Sequence, residues 1–241
     1  MFTEGNFGFK SNVFIVTNSG DFETSSSSYA KRTFEEGDRR QCTFSFWLKR
    51  ESVGAAMSLY ESSGAFEVIR FTAGNAIQVR NNNNDCVTSE TITSTSEWQH
   101  LVVTLDNDQA TASNRTRNFI NGSDATYASS GFPAENADFT DTNDAGKIFQ
   151  LGAANTHATP NQVYDGLMAE VIFLDGTAVT NTNLFAETVG GVYRPKAITG
   201  VTYGVNGFKL SFNGADMGTD SGSEGNDLTD SNITQSTDTP P

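Results

Sequence analysis

The segment from Asp165 to Asp175 constrains the fold most, because it is apolar on both faces of an extended strand. Successive side chains of a β-strand point to opposite faces of the sheet. One face is predicted to carry Leu167, Ala169, Val171 and Phe173, and the other Gly166, Met168, Glu170, Ile172 and Leu174. A strand of this kind is covered on both sides, as in two packed sheets, and Asp175-Gly176 predicts a tight turn after it.

Further strands are predicted where apolar and polar residues alternate over four or more positions. These segments are 42–50, 57–60, 66–71, 76–80, 98–106, 117–122, 148–153 and 203–212. The run from Asn81 to Asp85 predicts a turn or loop, since Asn tolerates left-handed backbone angles, and Asn121-Gly122 predicts a hairpin. Residues 182–187 are the one place where a helical turn is expected.

The chain of 241 residues is predicted to form one domain with a tail at each end. Residues 1–20, with Phe2, Phe7 and Phe9, are expected to form an arm and a first strand. Residues 21–212 are expected to form an all-β sandwich, with 21–40 as loop and edge and 123–147 as a surface connection. Residues 213–241 are predicted to be an extended low-complexity tail that adds nothing to a core. Such a tail is expected to become ordered against another subunit, which predicts an assembly.

Charge and composition argue against several classes of function. The net charge is −14, which disfavours binding to nucleic acid and to anionic membranes. No apolar run approaches the roughly 20 residues that cross a membrane, and no signal peptide is recognisable at the start. We therefore expect a protein that is made in the cytoplasm and does not insert into a membrane. Phenylalanine accounts for 18 residues, which predicts a Phe-rich core, and Cys42 and Cys86 are expected to be free buried thiols.

Four motifs occur in one order: 44–50 (Phe-Ser-Phe-Trp-Leu-Lys-Arg), 98–106 (Trp-Gln-His-Leu-Val-Val-Thr-Leu-Asp), 119–122 (Phe-Ile-Asn-Gly) and the anchor segment 164–176. Together they resemble the concanavalin A-like, laminin-G-like jelly-roll domains of the lectin and glucanase superfamily. The versions in tailed-phage virion proteins are the most similar, and in those the domain is followed by segments like 190–195, 203–208 and 225–228. The resemblance implies a two-sheet antiparallel jelly roll with terminal arms. It also implies a structural or adhesive role at a virion surface, as a capsid decoration, capsid fibre or tail fibre subunit that forms homo-oligomers, trimers above all.

The sequence favours a protein without catalytic activity. Retaining glycosidases on related folds use two carboxylates about 5–5.5 Å apart, yet Glu170 has no acidic residue at 168, 172 or 174 beside it. The histidines, His100 and His157, lie near no nucleophile motif, and His100 is expected to be a hydrogen-bonded structural residue. We therefore predict no catalytic residues.

Two kinds of binding site are considered. Asp138, Asp141 and Asp144 cluster in one acidic segment, and carboxylate oxygens are calcium ligands, although a solvated loop explains the same pattern. No other cofactor is indicated. A glycan site needs an exposed aromatic ring with polar groups around it, and Trp47, Tyr60 and Tyr127 are the candidates, with core packing as the alternative for Trp47.

Three functions follow from these observations. The leading hypothesis is a virion surface subunit assembled with itself and with other virion proteins. The second is a carbohydrate-binding adhesin that recognises polysaccharide on a host surface. The third is a glucanase-like hydrolase with a paired carboxylate in a groove.

Overall fold

The computed structural model describes residues 13–154 and 160–241. The predicted arm with Phe2, Phe7 and Phe9 lies outside them. The described strands, in chain order, are β1 (Ser19–Phe22), β2 (Tyr29–Thr33), β3 (Gln41–Arg50), β4 (Met57–Ser62), β5 (Val68–Phe71), β6 (Ala76–Asn81), β7 (Asn84–Thr91), β8 (Gln99–Asp106), β9 (Thr116–Ile120), β10 (Ser123–Asp124), β11 (Tyr127–Ser130), β12 (Ile148–Leu151), β13 (Gly166–Asp175), β14 (Ala186–Val189), β15 (Val192–Pro195), β16 (Phe208–Leu210), β17 (Thr229–Ser231) and β18 (Thr234–Ser236).

The strands form two large antiparallel sheets packed as a sandwich, which confirms the predicted fold class. The first sheet has the order β10-β9-β8-β3-β13-β1-β18, with β16 also paired to β13. The second has the order β11-β7-β6-β5-β4-β12-β2-β17, and β14 and β15 form a separate hairpin. Among the described residues, no helix is long and apolar enough to cross a membrane.

The core between the sheets is rich in phenylalanine, as predicted. Its phenylalanines are Phe22, Phe34, Phe44, Phe46, Phe71, Phe139, Phe149, Phe173, Phe208 and Phe212. Ring centroids of Phe44 in the first sheet and Tyr60 in the second lie 4.7 Å apart, and those of Phe173 and Phe149 lie 5.5 Å apart. These rings come from both sheets, so aromatic contacts join the two layers. Cys42 and Cys86 are free and buried, as expected.

The outer face of the first sheet is covered by later parts of the chain. One cluster joins Ile172 and Leu174 of β13 to Phe185 and Tyr203. A second joins Trp47 of β3 to Ala186 of the hairpin, with Tyr193 packed against it. This cover is why β13 is apolar on both faces.

The predicted division of β13 into two faces was wrong beyond Ala169. The pairing register of β13 with β3 shifts between Ala169 and Ile172, and Glu170 has a left-handed φ of 45°. A β-bulge of this kind adds one residue and reverses the alternation that follows. Met168 therefore shares the inter-sheet core with Val171 and Phe173, whereas Ala169 lies on the outer face.

The expectation that nothing after Phe212 enters a core was also wrong. Met217, Leu228 and Ile233 belong to the inter-sheet core. Strand β17 pairs with β2 in the second sheet, and β18 pairs with β1 in the first. The tail thus crosses from one sheet to the other and closes that side of the sandwich, because its few apolar residues coincide with positions that face the core.

Of two smaller predictions, one was confirmed in part and one was wrong. Residues 182–186 form the predicted turn, in which the N–H groups of Phe185 and Ala186 donate to the Thr182 carbonyl at 2.9 and 3.0 Å, and β14 begins at Ala186. It is not the one such turn, because Thr24–Ser26 and Ala112–Asn114 form 3-10 turns. Residues 21–40 contain β2, which pairs on both sides and is therefore interior to its sheet. The error at β2 comes from a short strand whose sequence carries no long alternation.

Candidate functional site

A hollow lies at the side of the sandwich opposite the C-terminal crossing. Strand β10 pairs with Phe119 and Ile120 of β9, the Ala125 N–H donates to the Asn118 carbonyl at 2.8 Å, and the chain then passes to the edge of the second sheet as β11. The first half of β9 therefore remains at the edge of its sheet. The resulting edge hollow has a volume of about 200 Å³ and is lined by Ser113, Arg117, Asn118, Asp124, Ala125 and Tyr127.

Asn118 is the most unusual residue of the edge hollow. It lies opposite Val103 in the pairing of β8 with β9, so its side chain is on the face that looks toward the second sheet. Asn118 is 1% exposed, and within the described part of the chain neither its amide nitrogen nor its amide oxygen has a hydrogen-bond partner. A buried polar group left unpaired costs about 1–3 kcal/mol. The amide thus offers one donor group and one acceptor to a hydroxyl-bearing ligand.

Arg117 and Asp124 form the outer rim of the edge hollow. The Arg117 Nη2 lies 2.6 Å from Asp124 Oδ1, and the guanidinium lies 4.8 Å from the centre of the Phe119 ring. The ion pair is partly exposed, so it contributes little to stability. Its geometry nevertheless holds a planar donor and a carboxylate side by side at the mouth of the hollow.

Tyr127 forms the wall on the side of the second sheet. Its hydroxyl donates a hydrogen bond of 2.8 Å to the Thr116 carbonyl, and its ring packs edge-on against Phe132 with 6.2 Å between centroids. Burial raises the pKa of the Tyr127 hydroxyl well above its usual value, so the group stays protonated. Of the three aromatic glycan candidates, this is the one that lines a hollow.

Trp47 and Tyr60 do not provide the exposed rings on which their prediction as glycan contacts depends. Trp47 is 2% exposed and stacks on His100 with 4.7 Å between centroids, beneath the β14–β15 hairpin. Tyr60 is fully buried, and its hydroxyl lies 2.6 Å from Thr142 Oγ1. The later hairpin covers a face that the strand alternation alone leaves open.

The structure does not bring Asp138, Asp141 and Asp144 together around one point. Asp138 pairs with Arg40 at 2.7 Å, Asp141 with Lys147 at 3.1 Å and Asp144 with Arg39 at 3.4 Å. Across residues 13–154 and 160–241, no three His, Cys, Asp or Glu side chains are grouped as metal ligands. The acidic segment is therefore neutralised by separate cations of the chain and does not form one cluster of carboxylates.

A buried carboxylate holds this acidic segment in place. Glu67 is fully buried and accepts backbone hydrogen bonds from Thr140, Asp141 and Thr142 at 3.0, 3.0 and 3.1 Å. Burial raises the pKa of Glu67, while the three N–H donors oppose that rise. The backbone N–H groups of residues 140–142 thus bind the Glu67 carboxylate of the same chain.

Two groups with the appearance of catalytic residues have structural roles. His100 is fully buried, with Nε2 2.9 Å from Ser45 Oγ and Nδ1 2.8 Å from the Tyr193 hydroxyl, which confirms the predicted hydrogen-bonded histidine. Glu170 lies 2.7 Å from Lys209 Nζ, and both side chains are largely buried. The Ser45–His100 pair is closed to solvent, so a substrate cannot reach it.

Sequence reasoning missed Arg117, Asn118 and Asp124 as site residues. The available signal was an asparagine at an inward-facing position of the predicted strand 117–122, where an apolar residue is the usual choice. Asp124 had no signal, because its position beside Arg117 depends on the turn at Asn121-Gly122. The edge hollow can therefore recognise polar ligands through an amide, a guanidinium, a carboxylate and an aromatic ring.

Comparisons with known proteins agree with the fold. The family model for laminin-G-type domains of the concanavalin A-like lectin/glucanases superfamily matches residues 23–183. A proposed carbohydrate-binding protein from Bacteroides ovatus superimposes with a TM-score of 0.67 and 16% identity. The match covers 93% of this chain and 60% of that protein, so the chain spans less than two thirds of its relative.

Two further solved structures have weaker similarity. A heptameric pentraxin from Limulus polyphemus has a TM-score of 0.49 and 13% identity, over 70% of this chain and 80% of that one. Domains LG4-5 of the mouse laminin alpha1 chain have a TM-score of 0.46 and 9% identity, over 70% and 47%. Neither carries an argument about function. No curated protein matches the chain.

Proposed function

Since the chain belongs to the concanavalin A-like lectin/glucanase superfamily, we propose that it is a carbohydrate-binding domain without catalytic activity and that the edge hollow takes the sugar. The buried, unpaired amide of Asn118 beside Tyr127 carries this proposal. A sugar hydroxyl both donates and accepts hydrogen bonds, so it would satisfy the amide. The carbohydrate-binding description of the Bacteroides ovatus protein supports the same class of ligand.

We further propose that the domain acts at a virion surface, where it assembles with copies of itself and binds host polysaccharide. The support is the ordered set of motifs at 44–50, 98–106, 119–122 and 164–176, which resembles phage virion domains. The net charge of −14 suits a surface that meets neutral glycans rather than nucleic acid. Light scattering of the purified chain tests the assembly, and a monomer at all concentrations would contradict it.

Binding is tested with a panel of neutral and acidic oligosaccharides at up to millimolar concentration, followed by titration calorimetry of those that bind. The test variant is Asn118→Leu, which removes the amide and keeps a similar volume. We expect it to lose sugar binding at least tenfold without any fall in the thermal midpoint, because it replaces an unpaired buried polar group with an apolar one.

Asn213→Ala is the matched control, since Asn213 is exposed and does not line the edge hollow. It should bind sugar as the unaltered protein does. A panel with no binding overturns the function, and an Asn118→Leu variant that binds normally places the site elsewhere.

A further inference from the structure

A second hollow adjoins the first on the outer face of the first sheet. We call it the face hollow; it has a volume of about 60 Å³ and is lined by Thr104, Asp106, Gln109, Asn114, Arg117, Ala178, Val179 and Thr180. Thr104 and Arg117 are directly opposite in the pairing of β8 with β9, so both lie on the outer face. The edge hollow and the face hollow therefore lie on either side of the same strand.

Arg117 is common to both hollows. Its Nη2 contacts Asp124 on the edge side at 2.6 Å, and its Nη1 donates to the Thr180 carbonyl on the face side at 3.4 Å. The 3-10 turn Ala112–Asn114 is shared in the same way, because Ser113 lines the edge hollow and Asn114 lines the face hollow. One guanidinium and one turn thus contribute to both hollows.

The two hollows differ in what they can hold. The face hollow, at about 60 Å³, is the smaller of the two and can take only the smaller part of a ligand. The edge hollow is more than three times larger and has an aromatic wall. A ligand that fills both must extend beyond one sugar ring.

The charges around the two hollows select against anionic sugars. Arg117 pairs with Asp124, and a second carboxylate, Asp106, also lines the face hollow and accepts a 2.7 Å hydrogen bond from Gln109. Two carboxylates and one guanidinium leave an excess of negative charge. Amide groups of Gln109, Asn114 and Asn118 then provide the neutral hydrogen-bonding surface.

On these grounds we infer that the ligand is a neutral oligosaccharide of at least two sugar residues, bound with one ring in the edge hollow and its neighbour reaching across Arg117 into the face hollow. This inference rests on the proposed function and specifies its substrate class. The reducing or non-reducing direction of the chain is set by which substituent enters the smaller hollow.

The test compares a neutral monosaccharide with its disaccharide and trisaccharide, by titration calorimetry on the full chain. The disaccharide should bind at least tenfold more tightly than the monosaccharide. The double variant Gln109→Ala/Asn114→Ala should lose that gain and keep the affinity for the monosaccharide, whereas Asn118→Leu should lose both. Asn213→Ala again serves as the control and should change neither affinity.

Equal affinities for the monosaccharide and disaccharide overturn the inference while leaving the proposed function in place. The inference is also overturned if the double variant Gln109→Ala/Asn114→Ala still binds the disaccharide more tightly than the monosaccharide. It is overturned as well if a uronic acid disaccharide binds as tightly as the neutral one. If no sugar of any length binds, the proposed function itself fails, and this inference with it.

Discussion

His100 shows at the residue scale how burial determines the chemistry of a side chain. It is enclosed by Trp47, Ser45 and Tyr193, and burial lowers its pKa to about 3. The unfolded chain has a histidine pKa of about 6.5. Below that value the unfolded state takes up a proton that the folded state rejects, so the stability provided by neutral His100 is present above pH 6.5 and is lost as the pH falls toward 3.

The predicted consequence is a pH-dependent difference between the unaltered protein and His100→Gln. Between pH 7.5 and pH 5, the His100 contribution to the free energy of unfolding should fall by about 2 kcal/mol. Urea unfolding at several pH values measures the gap between the two proteins, which should narrow by that amount. His157 is present in both and cancels. A gap that stays constant over this range would show that His100 has the same pKa in the folded and unfolded states.

Residue types alone predicted some of these environments and not others. The structural role of His100 followed from its position opposite Leu101 and Val103 on a predicted strand. The burial of Trp47 did not, because alternation gives the face of a residue but not whether a distant hairpin covers that face. For the same reason, alternation could not predict the pairing of Arg117 with Asp124, which depends on the turn between β9 and β10.

At the scale of elements, the bulge in β13 brings a carboxylate and a lysine together. Glu170 has a left-handed φ and lies 2.7 Å from Lys209 Nζ on β16. Burial raises the pKa of Glu170, and the nearby Lys209 opposes that rise. The long strand itself was predictable from its apolar sequence. The bulge was not, because one inserted residue leaves the composition of both faces almost unchanged.

Substitution of Lys209 should therefore lower the free energy of unfolding more than substitution of an exposed lysine. Lys209→Met leaves a buried carboxylate unpaired and should lower the free energy of unfolding by about 3–5 kcal/mol at pH 7. Adding Glu170→Gln should recover much of that loss. The exposed Lys31→Met should change stability by less than about 0.5 kcal/mol. Urea titrations of the four proteins measure this, and equal effects of the two lysine variants would refute the pairing.

Across the whole molecule, two crossings of the chain from sheet to sheet close opposite sides of the sandwich. One is the passage from β10 to β11 beside the edge hollow, and the other is the C-terminal passage from β17 to β18. Asp238 holds the C-terminal passage against the first sheet, because its carboxylate accepts hydrogen bonds from Trp98 Nε1 at 2.9 Å and from Lys49 Nζ at 2.5 Å. Composition alone suggested a tail outside the core, because three apolar residues among many polar ones carry no periodicity.

The core contribution of the tail predicts that the chain cannot be shortened to residue 212. Burial of Met217, Leu228 and Ile233 is worth about 1.5–3 kcal/mol each, a sum comparable with the 5–15 kcal/mol that stabilises a typical domain. The truncated chain should lose its cooperative thermal transition and aggregate in light scattering. A folded truncated protein that merely changes its oligomeric state would instead make the tail an assembly arm.

A single substitution separates loss of tail docking from loss of the whole fold. A Cβ at Gly218 would overlap the carbonyl oxygen of Leu228, whereas a Cβ at Gly74 would make only an ordinary contact with Thr72. Gly218→Ala should therefore expose the segment after Phe212 to limited proteolysis, with a lower thermal midpoint, and Gly74→Ala should leave both unchanged. Because the edge hollow lies on the opposite side of the sandwich, Gly218→Ala should retain its sugar affinity below its transition temperature. Resistance of Gly218→Ala to protease would mean that the tail is not held by this close approach.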